Sequence, residues 1–137
     1  MKYSEPVSKI MTKNVHSINL EDGLKAAIRT VKKHHIRHLP VVNGTQIAGI
    51  ISSSDLNRLT FSNLFEEESG HDEAILEMLS VSQIMSDKPK VVGPEESIDS
   101  VAKIFAEESF HSLPVVEDGN LVGIVTTTDV IKYFLSN

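Results

Sequence analysis

Two short stretches carry side chains suited to holding a small polar ligand: Gly49-Ile50-Ile51-Ser52-Ser53-Ser54-Asp55 and Gly123-Ile124-Val125-Thr126-Thr127-Thr128-Asp129. In each, a hydroxyl side chain precedes an aspartate by three residues, where a glycine-led apolar strand gives way to a helix. A helix start offers free backbone N–H groups and the positive end of the helix dipole. An adjacent carboxylate can accept hydrogen bonds from both hydroxyls of a ribose, the use made of an acid in dinucleotide-binding folds. The same spacing also serves a local purpose, because Ser52-x-x-Asp55 and Thr126-x-x-Asp129 match the capping box. Two whole junctions of one form favour a pair of binding grooves over two coincident caps.

A second polar signal precedes each Leu-Pro. Arg37-His38 and His111-Ser112 could place cationic or hydrogen-bonding side chains beside the same groove. Arginine grips phosphate with a two-pronged fork and stays charged, and histidine contributes near neutral pH. An exposed loop with unrelated polar residues is the plain alternative. His34, His35 and His38 invite a metal reading, but spacing fixes no carboxylate partner, so no metal site is assigned. No nucleophile-elbow, zinc-protease or phosphate-cradling glycine motif is present, and aspartates related by a repeat need not face one reacting atom. No catalytic residue is assigned and no enzyme is expected.

The elements that must position these residues are written twice. Val7-Ser8-Lys9-Ile10-Met11 returns as Val81-Ser82-Gln83-Ile84-Met85, and Leu39-Pro40-Val41-Val42 as Leu113-Pro114-Val115-Val116, each pair 74 residues apart like the two junctions. Self-similarity at a fixed spacing sets the architecture. Apolar residues at helical spacing (Leu24, Ala27, Ile28, Val31; Ile98, Val101, Ala102, Phe105) predict a helix in each copy, started by Asn19 or by Gly93-Pro94-Glu95-Glu96. Leu-Pro-Val-Val predicts a short strand, with its proline confined to an edge or to the strand's beginning. Asn43-Gly44 and Glu117-Asp118-Gly119-Asn120 predict hairpin turns into strands from Gln46 to Ile51 and from Leu121 to Val125. A last helix is expected near Asp55 or Asp129, with Leu56 and Leu59, or Val130, Ile131 and Phe134, on its apolar face. Val15-His16-Ser17-Ile18 and Lys90-Val91-Val92 read as short leading strands. The unit is strand, helix, strand, strand, helix. Residues 1–63 and 81–137 are the two copies, joined by an acidic loop and a short helix over residues 64–80. A copy of about 57 residues is marginal as a core by itself, so the copies are expected to cover each other's apolar surface.

Composition bounds the rest. With 137 residues, 40% of them hydrophobic and 23% charged, the chain has the size and character of one soluble globular body. The absence of cysteine excludes disulfides, thiolate metal sites and a catalytic thiol. A net charge of −6 argues against a nucleic-acid partner. No apolar run approaches the roughly 18 residues of a membrane span. Met1-Lys2-Tyr3-Ser4-Glu5-Pro6 has no signal-peptide character, so a cytoplasmic location is expected. Charge is unevenly spread: Lys32-Lys33-His34-His35-Ile36-Arg37-His38 is basic, whereas its counterpart Ala106-Glu107-Glu108-Ser109-Phe110-His111-Ser112 is acidic with one histidine.

Taken in order and twice over, Ile-Met, Leu-Pro-Val-Val and Gly-Ile-x-Ser/Thr-x-x-Asp resemble a tandem pair of CBS domains, the module named after cystathionine β-synthase and also called a Bateman module. The resemblance covers Val7 to Asn137 apart from the linker. It implies an α/β (α+β) fold in which two β-α-β-β-α repeats pack sheet to sheet around a pseudo-twofold axis, and a disk-like homodimer. It also implies clefts between the repeats for AMP, ADP, ATP or S-adenosylmethionine, with no required cofactor. By this resemblance Asp55 and Asp129 hold ribose hydroxyls, Ser52 and Thr126 approach ribose or phosphate, and Arg37, His38 and His111 meet phosphate. His16, Ile36, Ile50, Ser54, Lys90, Phe110, Ile124 and Thr128 line the clefts. Nucleotide-sensing members often have His-Arg before Leu-Pro. Arg37-His38 reverses that order and His111-Ser112 lacks the arginine, which weighs against a highly charged ligand in the second half. The expected function is a regulatory module that senses an adenosine ligand and signals by conformational change to an effector in trans. The alternative is a scaffold whose clefts stay empty and whose dimer surface does the work.

Overall fold

The described residues form two compact units that do not follow the repeat boundaries. The computed structural model describes residues 4–57 and 78–136; Leu59, the acidic stretch from Glu66 to Glu73 and most of the expected linker helix lie outside them. One unit, the first-repeat unit, holds His16–Gly44 and Ala48–Lys88. The other, the second-repeat unit, holds Met1–Val15, Thr45–Ile47 and Pro89–Asn137. The opening motif of each repeat, Val7 to Met11 or Val81 to Met85, therefore packs in the unit formed by the other repeat.

In the first-repeat unit, β1 (Ile18–Asn19) runs parallel to β2 (His38–Asn43), with Ile18 opposite Val41. Between them lies α1 (Leu24–His34), whose periodic face sets Leu24 and Ala27 into the core. β3 (Gln46–Ser52) is followed by a helix, α2, which starts at residue 53 and is described to residue 57. The exchanged segment supplies α3 (Val81–Ile84) and β4 (Ser86–Asp87), the latter antiparallel to β3 with Ile50 opposite Ser86. Leu24, Ala27, Leu39, Val41, Ile51 and the exchanged Val81 are fully buried, with Ile18 and Leu56 beside them.

The second-repeat unit repeats the plan. β5 (Ser112–Glu117) and β6 (Asn120–Thr126) form a hairpin, with Ser112 opposite Thr126 and Glu117 opposite Asn120. Val92 bridges Val115 in parallel, a one-residue equivalent of β1. α4 (Ile98–Glu107) and α5 (Thr127–Leu135) complete the unit around Val7, Val101, Leu113, Val115 and Val125. Among the described residues, no helix is long and apolar enough to cross a membrane.

Several expectations are corrected. Asn19 and Gly93-Pro94-Glu95-Glu96 build turns ahead of the helices rather than starting them: the Asn19 amide donates to Asp22 Oδ2 (2.9 Å) and the Glu96 amide to the Gly93 carbonyl (3.1 Å). α4 is instead capped by Ser97, whose Oγ accepts from the Ser100 amide, and α1 follows Gly23 with no side-chain cap. The leading strands are shorter than predicted and leave His16 and Lys90 outside them. Pro114 lies within β5 rather than at its beginning. Its missing N–H is tolerated because bonding to Val92 begins at the proline carbonyl: the Val92 amide donates to Pro114 O and the Val116 amide to Val92 O. Ile131 is 56% exposed rather than on the buried face of α5, which is set by Val130 with half-buried Phe134.

Candidate functional site

Each unit assembles one copy of the predicted constellation. At the end of β3 the Ser52 amide donates to Asp55 Oδ2 (3.2 Å), while Ser52 Oγ accepts from the Asp55 amide (3.1 Å). At the end of β6 the Thr126 amide donates to Asp129 Oδ2 (2.9 Å), while Thr126 Oγ1 accepts from the Asp129 amide (3.2 Å). The capping boxes read from spacing are therefore formed. They do not exclude a ligand, because a carboxylate has about four lone-pair positions and each cap bond occupies one. What the caps fix is orientation, holding each aspartate half-buried in the first turn of a helix.

The segments before Leu-Pro meet these helix starts through the backbone. The Ser53 amide donates to the Arg37 carbonyl (2.7 Å), and the Thr127 amide donates to the His111 carbonyl (3.0 Å). This bond places Arg37 beside the Ser52–Asp55 junction and His111 beside the Thr126–Asp129 junction, with both side chains exposed. His38 and Ser112 are the first residues of β2 and β5; His38 is half-buried, and Ser112 is buried at 7% exposure in a strand pair with Thr126. Ile36 and Phe110, one residue earlier, are half-buried. Ser54 and Thr128 are exposed in the first helical turns, where their side chains are open to solution.

The glycine that leads each strand makes room for the exchanged segment. A Cβ on Gly123 would lie 2.6 Å from Met11 Sδ and 3.0 Å from the Thr12 carbonyl; on Gly49 it would lie 2.5 Å from Met85 Sδ and 2.8 Å from the Ser86 carbonyl. Beside Gly123, Thr12 and Ile124 exchange both backbone hydrogen bonds, at 2.8 and 3.0 Å, and Ile124 is buried. Ile50, its equivalent opposite Ser86, is half-buried. The pairing of Met11 with Gly123 and Met85 with Gly49 is a role that sequence reading missed, although both residues stand in the repeated motifs.

The units also differ. His16 and His34 stack in the first-repeat unit, with ring centroids 3.6 Å apart. α1 ends there in a left-handed residue, His35 (φ 53°), whereas α4 ends at Glu108 in extended backbone. Lys90 is exposed and lies between β4 and the Val92 bridge.

Two like α+β units, each with a hydroxyl–carboxylate pair at a helix start and an imidazole- or guanidinium-bearing segment hydrogen-bonded to it, make up a paired module. The CBS domain family model matches residues 7–61 and 81–136. The chain belongs to the CBS domain family and carries two of its domains in tandem. A CBS domain-containing protein of Dictyostelium discoideum is 31% identical over 131 residues, covering 94% of this chain and 90% of that protein. An uncharacterized protein of Methanocaldococcus jannaschii is likewise 31% identical over 130 residues, but this chain spans only 42% of its length. The crystal structure of Arabidopsis thaliana CBSX2 in complex with AMP superposes with a TM-score of 0.78 at 25% identity, covering 96% of this chain and 97% of that one. The CBS domain pair of protein MJ0100, in complex with 5-methylthioadenosine and S-adenosyl-L-methionine, superposes with a TM-score of 0.76 at 26% identity, covering 94% and 98%.

Proposed function

We propose that the chain is a regulatory module that binds adenosine-containing ligands, with AMP, ADP, ATP and S-adenosylmethionine as the candidates, and passes the bound state to a protein effector in trans. The observation that carries this reading is the backbone bond from Ser53 to Arg37, repeated from Thr127 to His111. It brings the backbones of Arg37 and His111 to the helix starts that carry Asp55 and Asp129. Asp55 and Asp129 are assigned to the ribose hydroxyls and Arg37 and His111 to phosphate, with Ser52 and Thr126 beside them; His38 supports the phosphate end of the first site. Ile36, Ile50, Ser54 and His16, and Phe110, Ile124, Thr128 and Lys90, are assigned to the walls. The ligands seen in the related pairs, AMP in one and methylthioadenosine with S-adenosylmethionine in the other, support an adenosine moiety as the common element. A ligand acts as a signal only through unequal affinity for two arrangements of the protein. The module is read as cytoplasmic, homodimeric and non-catalytic.

Thermal unfolding and titration calorimetry with the four candidates, on the native chain and on Asp55→Asn and Asp129→Asn, test the reading. Ligand at 100 times its Kd should stabilise the native chain by about 2.7 kcal/mol. Asparagine keeps an acceptor oxygen for the cap but replaces the second oxygen with a donor, so binding should fall while folding persists. No shift with any adenosine ligand would leave the scaffold reading in its place, and a shift that survives both substitutions would sink the ribose assignment.

A further inference from the structure

One pair of residues in the first-repeat unit has no counterpart of like chemistry in the second. The rings of His16 and His34 stack 3.6 Å apart with planes 14° from parallel. His16 lies just before β1 and His34 ends α1, and the short connection from His34 to β2 carries Arg37, whose carbonyl holds the Ser53 amide. The equivalent positions, 74 residues on, are Lys90 and Glu108. The first copy has two imidazoles at these positions, and the second a lysine and a glutamate.

Stacked imidazoles are stable as neutral rings, because protonating both sets two positive charges within about 4 Å of each other. Loss of solvent lowers the His34 pKa below the ordinary imidazole value, and repulsion from His16, Lys33 and His35 lowers it further. All three of those groups are cationic in type, and no carboxylate is among the groups acting on His34. His16, His34, His35 and His38 all belong to the first-repeat unit, whereas His111 is the one histidine of the second-repeat unit.

We propose that His16 and His34 set the charge preference of the first-repeat site: neutral and stacked they wall it for an uncharged nucleoside, and on protonation they part and turn it toward phosphate. The inference rests on the reading of these sites as adenosine-binding. Its consequence is proton uptake when a phosphate-bearing ligand binds the first-repeat site, because the anion favours the charged rings. The second-repeat site, with His111 and with Lys90 and Glu108 in place of the stack, binds phosphate with less proton uptake.

The test uses the Asp129→Asn protein, so that the first-repeat site is read, with AMP and adenosine as probes from pH 8 to pH 6. Calorimetry in two buffers of different ionisation enthalpy counts the protons taken up. AMP should take up close to one proton near pH 7 and adenosine none. The ratio of AMP affinity to adenosine affinity should rise on the order of tenfold across the range, although the AMP phosphate itself loses charge near pH 6. In the His16→Gln/His34→Gln variant the ratio should not rise. NMR of the free protein adds a ligand-independent readout: the ring-to-ring contacts of His16 and His34 should be lost as pH falls through the His34 midpoint. Adenosine binding accompanied by equal uptake for both probes, by a ratio that still rises as pH falls in the double variant, or by ring-to-ring contacts that persist once His34 is protonated overturns this inference alone. Failure of both probes to bind at any pH overturns the adenosine reading and this inference with it.

Discussion

The two units share their bonds and differ in their charges. Both hold a hydroxyl–aspartate cap at the start of a helix, both tie that helix to the residue two positions before Leu-Pro, and both seat a methionine from the other repeat on a strand glycine. Around this common frame, the first-repeat unit presents Arg37, stacked histidines and a half-buried Ile50, while the second presents His111, Lys90, Glu108 and a buried Ile124. Even the hairpin turns are built differently. Gly44 alone has positive φ (68°) in the first, as in a type II′ turn, whereas Asp118 (53°) and Gly119 (83°) both do in the second, as in type I′. What is shared is what holds the backbone; what differs is what a bound molecule would meet. The duplication supplies one frame, and its divergence surrounds that frame with two different sets of side chains.

The methionine–glycine contacts are where the shared frame breaks most easily. Gly49→Ala brings a methyl group to 2.8 Å from the Ser86 carbonyl as well as against Met85, and backbone cannot swing aside as a side chain can. Gly123→Ala meets the Thr12 carbonyl at 3.0 Å, a slightly gentler clash. Overpacking of this kind costs roughly 1–3 kcal/mol, so we expect about 3 kcal/mol for Gly49→Ala and about 2 for Gly123→Ala in urea unfolding. Met11→Ala should rescue Gly123→Ala more fully than Met85→Ala rescues Gly49→Ala, because only the sulfur clash is removed. Equal rescue at both positions would show that the carbonyls are not the limiting neighbours.

Much of this frame is legible in the residues. The helical spacing of Leu24, Ala27, Ile28 and Val31 places α1, and Ser52-x-x-Asp55 forms the cap its spacing predicts. The helix starts are not legible, because Asn19 and Pro94 are equally at home in a turn ahead of a helix, and the cap hydrogen bond goes to Ser97 in one copy and to no side chain in the other. The exchange of opening motifs is hidden for a deeper reason. Periodicity states what a segment is, not which of two nearly equivalent partners it packs on, and Val7 and Val81 open near-identical motifs. The His16–His34 stack joins residues far apart in the chain, but it did leave a trace. Both positions change character together between the copies, to Lys90 and Glu108.

The caps should separate folding from binding. Asp55→Ala and Asp129→Ala each remove the acceptor of a cap bond, at about 1 kcal/mol in the usual range for capping residues. The asparagine variants keep an acceptor and should lose only a few tenths. If the asparagine and alanine variants are equally destabilised, the aspartate charge at the helix dipole, not the hydrogen bond, is what each helix needs.

The smallest effects are set by pH, and they divide the units once more. In the second-repeat unit, Glu5 accepts from Lys9 Nζ (2.6 Å) and from Tyr133 Oη (2.5 Å), which ties the exchanged N-terminal segment to α5. The hydrogen bond from Lys9, then that from Tyr133, and the Lys9 charge hold its carboxyl below the ordinary 4.5. The unfolded chain therefore takes up the proton first as pH falls, so this contribution is present above about pH 4.5 and is lost as pH falls through the folded-state pKa. His34, in the first-repeat unit, is also lowered, from 6.5, chiefly by desolvation. There too the unfolded chain is protonated first, so stability begins to fall from about pH 6.5 downward. Urea midpoints measured from pH 8 to pH 3.5 should decline in these two stages. His34→Gln should remove the upper stage alone and Glu5→Gln the lower one alone. A single decline that responds to both substitutions would mean that the two units do not report their protons separately.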